Sequence, residues 1–503
     1  MSPANGTSYE ASLAEQQQLF IDGVYTPSSD GTTFTVNNPM TGKKIYDCAS
    51  ATEADYTRAI ESASKAFQTW STTSPSARRL VFLKAADILE GYLKTDGPAI
   101  LSSEVSATTS WIKVNILATV GILRESAGLV THIKGEIVPA DRPGTIILVE
   151  REAVGVVFAI SPWNAPVNLS ARAIATPLIC GNTVVLKPSE FSPKSQNMVV
   201  RALTAAGLPA GSLNFLPTSP ERAPALTELA VKHRAVRRVN FTGSDRVGRI
   251  IAGWAATCLK QCVLELGGKA PVIVCDDANI DDAVEAVVFG ALANAGQICM
   301  STERVIVHES IADAFRTALL AKVKTLKVGN HETDSDVSIS GLFTQASATR
   351  VLGLVKDAVG AGASLLYGDT QATGPNKTIL MPHILEKVTP EMSIFQQEIF
   401  GPLICLSKFK TDEEGIALAN NSEFSLAAAV FSGDTLRAMH IAKKVRAGSC
   451  HVNGPTVYIE ATLPNGGTGG SSGYGRFGGI AGVEEFTERK IISLASPNMR
   501  YAF

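Results

Sequence analysis

The sequence predicts an α/β fold made of two parallel-sheet units and a separate β arm. Three observations carry this. Between residues 154 and 276, short continuous apolar runs alternate with helical stretches, the pattern of strands buried on both faces. A second unit of the same kind begins near Leu266 and runs to about Val452. Two further segments, residues 135–152 and 487–494, are β-like but stand apart from the alternation.

Taken in order, the first 20 residues are polar and Gln-rich and read as a loose tail. A helix is expected from Thr52, because Tyr56, Ile60, Ala63 and Phe67 fall on one face. Thr52 and Asp55 resemble a capping box with the shorter acid. Within 135–152, Asp141-Arg142-Pro143-Gly144 separates two apolar runs and signals a hairpin. Such an arm either adds strands to a neighbouring subunit or faces solvent. Strands follow at 154–160, 183–186, 214–216 and 236–241, with helices running through Ala206 and over 223–231 and 247–258. In the second unit, 271–275 and 304–308 read as strands, and Val284, Val287, Val288 and Ala291 share a helix face. One low-complexity patch, residues 466–482, holds nine glycines.

Composition narrows the function. A chain of 503 residues with 45% hydrophobic and 18% charged residues is globular rather than disordered. Lys+Arg 45 against Asp+Glu 47 leaves a net charge of -2, which argues against nucleic acid or an anionic membrane as partner. Eight scattered cysteines form no disulfide framework. The N-terminus has no basic or apolar signal region, no run of about 18 apolar residues occurs, and Tyr501-Ala502-Phe503 is not a peroxisomal tag. A cytoplasmic protein is expected.

Several motif matches fail on context. Gly469-Gly470-Ser471-Ser472-Gly473 fits a hydrolase elbow but follows no apolar strand, and Gly243–Gly248 lacks the lysine of a P-loop. Cys258 and Cys262 have no second ligand pair, so no metal site is expected. What remains is Cys299 in Gly296-Gln297-Ile298-Cys299-Met300-Ser301, a small-residue turn after a helix. It is either a buried structural thiol or a nucleophile whose own N–H faces the oxygen it creates. Glu265 ends an apolar strand before Gly267-Gly268; it is a capped turn residue or a general base with a pKa raised by an apolar setting. Asn164 lies at the carboxyl end of the 154–160 strand, where open sheets bind ligands, and forms an Asx-turn or donates to an oxyanion. Phe241-Thr242-Gly243-Ser244 is a strand-to-helix turn able to seat a pyrophosphate.

Together these residues resemble the aldehyde dehydrogenase superfamily. Six motifs occur in its order: Ser161-Pro162-Trp163-Asn164-Ala165-Pro166, Lys187-Pro188-Ser189-Glu190, Phe241-Thr242-Gly243-Ser244, Glu265-Leu266-Gly267-Gly268-Lys269, Gly296-Gln297-Ile298-Cys299 and Glu398-Ile399-Phe400-Gly401-Pro402. The 34-residue step from Glu265 to Cys299 fits as well, and the likeness spans roughly residues 20–495. It implies an aldehyde dehydrogenase-like fold. The cofactor-binding domain would occupy 20–134 and 154–265, interrupted by an oligomerisation hairpin at 135–153. A catalytic domain at 266–474 and a C-terminal oligomerisation strand and tail at 475–503 would follow.

The resemblance also implies roles. Cys299 would attack the aldehyde, Asn164 would hold the oxyanion, and Glu265 would activate the water that hydrolyses the thioester. Trp163, Lys187, Ser189, Glu190, Gly243, Ser244, Leu266, Gly267, Glu398 and Phe400 would bind NAD, Glu190 repelling the 2′-phosphate of NADP. Within the superfamily the chain is similar to salicylaldehyde, vanillin and benzaldehyde dehydrogenases. Trp111, Ala165, Leu169 and Arg172 would line an aromatic substrate pocket, although Trp111 reads equally as core and Arg172 as a structural ion pair. An aromatic aldehyde substrate and a homodimer or homotetramer follow from the resemblance. An aliphatic or specialised aldehyde, a CoA-acylating enzyme and a retired binding protein are the alternatives. Two departures stand out: Pro464-Asn465-Gly466-Gly467 replaces the usual P-F-G-G, with no lysine following, and Phe477 stands where many members carry a second glutamate.

Overall fold

The computed structural model describes residues 15–497 and Arg500. The first 14 residues of the expected tail, and Tyr501-Ala502-Phe503, lie outside the described residues. The tail ends earlier than expected, because Leu19 and Phe20 belong to a buried strand, Leu19–Ile21.

The first sheet has eight strands. Its parallel centre runs, across the sheet, Gln261–Glu265, Val236–Thr242, Val156–Ile160, Thr183–Lys187, Leu213–Phe215. Antiparallel strands close both sides, Gly473–Tyr474 beside Gln261–Glu265 and Leu19–Ile21 beside Leu213–Phe215. Alternate residues of the central strands enter opposite cores. Val157, Ala159, Val184 and Leu186 join one cluster, while Val156, Phe158, Ile160 and Val185 join the other. A period of two with both faces apolar explains why these strands read as unbroken hydrophobic runs.

The order also locates a crevice. From Val156–Ile160 the chain moves outward to Thr183–Lys187 and Leu213–Phe215, then returns to the other side at Val236–Thr242. The carboxyl ends of Val156–Ile160 and Val236–Thr242 therefore flank a switch point, where neighbouring connections diverge and leave room for a ligand.

The second sheet has seven strands, ordered Ser364–Tyr367, His383–Glu386, Leu403–Phe409, Thr302–His308, Ala270–Val274, Ala427–Phe431, Ser449–Val452. All pairs are parallel except the first. Four residues, Leu266 to Lys269, link Glu265 of the first sheet to Ala270 of the second.

Helices follow local signals. Glu53–Trp70 begins at a capping box formed by Thr52 and Asp55 and buries Tyr56, Ile60 and Ala63. Phe67 is only half-buried; Trp70 completes the face, its Nε1 donating to the Leu178 carbonyl at 3.0 Å. The helix Thr109–Gly128 continues to Thr131 and is long and apolar enough to cross a membrane by length and composition. Here Ile112, Ile116, Val120 and Leu123 are packed into the first core cluster.

The two outlying β segments meet. Thr487–Leu494 pairs antiparallel with Ile146–Ala153, which pairs with Glu136–Val138 across the Asp141–Gly144 turn.

Candidate active site

Cys299 is delivered by a strained turn. After the helix Ile280–Leu292, Asn294, Ala295 and Gly296 take left-handed φ values of 50°, 54° and 73°. The non-glycine residues there are unfavourable, so packing must hold them. Gly296 is required: a Cβ would lie 2.2 Å from the Gly401 carbonyl oxygen. Asn294 Nδ2 donates to the Asn164 backbone carbonyl at 3.1 Å, and the Trp111 indole N–H donates to the same oxygen at 2.9 Å. The Asn164 side chain donates to the Gln297 carbonyl at 3.0 Å. One amide N–H of Asn164 is thus used beside Cys299, and a primary amide carries two.

Glu265 is fully buried behind the nucleophile. The Cys299 thiol donates toward its Oε1 across 3.9 Å, Asn465 Nδ2 donates to the same oxygen at 2.9 Å, and Arg172 Nη2 pairs with Oε2. The apolar setting expected for Glu265 is therefore replaced by a polar one, because the helix Pro166–Ile179 turns Arg172 onto it. Arg172 forms the expected structural ion pair and also lines a cavity. Burial lowers its guanidinium to about 10, still charged near neutrality. Burial raises the Cys299 thiol to about 11, with Arg172 opposing and Glu398 adding to the shift.

Two cavities flank this pair. One, about 250 Å³, opens at the sheet's switch point and collects Trp163, Asn164, Gly243, Ser244, Glu398 and Phe400. Leu266, Gly267 and Cys299 line it too. Its features suit a dinucleotide. Ser244 caps the twelve-residue helix Asp245–Ala256, presenting backbone N–H groups to an anion. Gly267 has no room for a side chain, since a Cβ would meet Glu398 Oε2 at 2.8 Å. Glu398 accepts from the Gly268 N–H at 2.8 Å, and burial with nearby Glu303 raises its carboxyl to about 8. Lys187, Ser189 and Glu190 stand at the carboxyl end of the adjoining strand, outside this cavity.

The second cavity, about 260 Å³, touches the pair only through Arg172 and Asn465, the partners of Glu265, and is mainly apolar, with Ala118, Ile122, Leu129 and Phe477 alongside Glu125 and Glu460. Asn168, Arg172 and Thr176 reach it from successive turns of one helix face. Leu169, expected to line the substrate pocket, is one residue further round, a rotation of about 100°, and lines the cavity that also holds Cys299 and Asn164. Trp111 and Ala165 line neither of these cavities. Trp111 fixes the Asn164 backbone, and Ala165 is half-buried at the helix N-cap.

The chain matches the Aldehyde dehydrogenase family over residues 25–492. It belongs to that family. Vanillin dehydrogenase of Pseudomonas fluorescens is 44% identical over 484 residues, 96% of this chain and 98% of the relative. Salicylaldehyde dehydrogenase of Pseudomonas putida is 43% identical over 488 residues, 97% and 99% of the two chains. The crystal structure of the salicylaldehyde dehydrogenase from Pseudomonas putida G7, complexed with salicylaldehyde, superposes with a TM-score of 0.93 at 41% identity, covering 97% of this chain and 100% of that one. The protein is an NAD(P)-dependent aldehyde dehydrogenase with the family's α/β fold.

This aldehyde dehydrogenase uses residues that sequence reasoning did not assign. Glu303 is buried and accepts from the backbone N–H groups of Ile399 and Phe400 at 2.9 and 3.0 Å, while Lys269 Nζ pairs with it at 2.7 Å. It thereby holds Phe400, whose φ is 52°, next to Glu398. Phe343 stacks on Trp163 with ring centroids 3.8 Å apart. Asn465 carried a signal, its departure from the family's phenylalanine. Glu303 and Phe343 carried none.

Proposed function

We propose that the enzyme uses NAD to oxidise an aromatic aldehyde to its carboxylic acid, through a thioester on Cys299. The observation that carries this is Glu265 Oε1 at 3.9 Å from the Cys299 thiol, with a cofactor-type cavity lined by Cys299 and a mainly apolar cavity lined by Arg172 and Asn465, the partners of Glu265. Relatives named for vanillin and salicylaldehyde support the substrate class, as does the volume of the apolar cavity, which accommodates one substituted ring.

A thiol raised to about 11 is neutral at physiological pH, so attack requires that its proton leave, and Glu265 is the base within reach. The sulfur adds to the aldehyde carbon, and the second Asn164 N–H with the Cys299 backbone N–H stabilises the oxygen that becomes charged. When bound, NAD would supply the acceptor for the hydride that leaves the substrate carbon as the thioester forms on Cys299. Glu265 passes the thiol proton to solvent and then takes a proton from water, the water oxygen attacks the thioester carbon, and the C–S electron pair returns to Cys299. Ser244 at its helix N-terminus would hold the pyrophosphate, and Glu398 and Phe400 would hold the nicotinamide riboside. Lys187 and Glu190 take the adenine-side ribose; a carboxylate there disfavours NADP by charge repulsion.

The test is NADH formation at 340 nm with benzaldehyde, salicylaldehyde, vanillin and a medium-chain aliphatic aldehyde, with NADP in parallel. Turnover should favour the aromatic substrates with NAD and vanish in Cys299→Ala. Preference for the aliphatic member would remove the aromatic assignment, and turnover surviving in Cys299→Ala would remove the nucleophile.

A further inference from the structure

The glycine-rich segment does more than cover the site. Asn465 and Phe477 form an antiparallel bridge, each backbone N–H donating to the other's carbonyl at 2.8 Å. Both residues are buried. Gly466 follows at φ 154°, and a Cβ on it would lie 2.5 Å from the Gly475 carbonyl oxygen, so the segment is held against the strand Gly473–Tyr474 that pairs with Leu264 and Glu265. The Asn465 side chain is consequently aimed in one direction, and its Nδ2 reaches Glu265 Oε1 at 2.9 Å. Its bridge partner acts on the other carboxylate oxygen, because the Arg172 guanidinium that pairs with Oε2 lies over the Phe477 ring, 5.2 Å from its centroid.

We propose that Asn465 is a positioning residue for the hydrolytic base: with Arg172, steadied on Phe477, it clamps the Glu265 carboxylate with Oε1 facing Cys299. This rests on the reading of Glu265 as the base that hydrolyses the thioester. The Asn465 amide and the Cys299 thiol share Oε1. Once the sulfur is acylated it has no proton to donate, and the Asn465 N–H is the donor that keeps that oxygen in place for the incoming water. Donation to a carboxylate also favours its ionised form, the form that accepts a proton. The titratable groups around Glu265 are Arg172 from the helix, Cys299 from the nucleophile turn, and Glu398, which acts on Cys299 from the cofactor side. The paired positions on its two neighbouring strands, Thr242 and Gly473, carry no charge.

Deacylation tests this without cofactor or hydride transfer. p-Nitrophenyl acetate, an activated ester, acylates a cysteine thiol and releases p-nitrophenolate; loss of the acetyl group from Cys299 is then followed by intact mass across a pH series. In Asn465→Leu, which keeps volume and removes the donor, the acid limb of the deacylation rate should move up by about one pH unit. Asn465→Ser retains an O–H donor and should recover at least half of that shift. A Leu profile that superimposes on the wild type overturns the proposal, as does an equal, pH-independent loss in both variants; if the Leu variant fails to fold, an unshifted profile in Asn465→Ala, which also lacks the donor, does so. Failure of the underlying reading is distinct: Cys299 that is never acetylated in the wild type, or deacylation undiminished in Glu265→Gln, removes the nucleophile or the base themselves.

Discussion

Glu398 shows how one half-buried side chain sets a pH dependence. Its carboxyl lies against Gly267 and Gly268, and burial raises it to about 8. In the unfolded chain a glutamate titrates near about 4.3. Between those values the folded protein holds a proton that the unfolded chain has released. Stability therefore falls as pH rises through this window, since proton uptake by the native state favours it only where protons are plentiful. Glu398→Gln is uncharged throughout and removes this contribution. Melting temperatures measured from pH about 5 to about 8 should decline less in the variant than in the wild type. Parallel curves would show that Glu398 is ionised in the folded protein at neutral pH.

At the scale of elements, the site is a crossing of loops from two sheets, and one glycine marks the point of contact. A Cβ on Gly268 would lie 1.9 Å from the Cys299 carbonyl oxygen. Gly268→Ala should push the nucleophile turn by an ångström or so and lower kcat by about 100-fold, while far-ultraviolet circular dichroism stays that of the wild type. Activity within threefold of wild type would mean that the turn tolerates displacement. This crossing also explains what could be read in the sequence. The strands Val156–Ile160 and Ala270–Val274 were legible because both their faces are buried, so composition alone reports them. Cys299, Glu265 and Asn164 were legible because each sits inside a contiguous motif at an element's end. Glu303 was not: it holds Phe400 from nearly a hundred residues away, and its strand-start sequence looks like any other. Leu169 shows that a helix face, unlike a motif, is fixed only once its neighbours are known: it lines the cavity that also holds Cys299 and Asn164, apart from Asn168 and Arg172.

At the scale of the whole molecule, one long edge strand stands out among the described residues. Thr487–Leu494 is eight residues long and borders the three-stranded sheet, paired on one side only, with Ile146–Ala153. Ile491 is 71% exposed, and Ile137, Ile146 and Leu494 are exposed with it. An edge strand whose second half, Ile491 to Leu494, is largely apolar and whose backbone donors and acceptors are unpaired on one side is an aggregation hazard unless another chain covers it. The resemblance to an oligomerising family gives the same expectation, so we predict that this sheet joins copies of the chain as a dimer or tetramer. Charges at the edge would oppose that association by placing like groups opposite each other across a symmetric contact. Light scattering after size-exclusion chromatography should give a multiple of the chain mass for the wild type and a smaller species for the double variant Ile491→Glu, Leu494→Glu. An unchanged mass in the variant would place the interface elsewhere, and a monomeric wild type would mean that this edge stays open in solution.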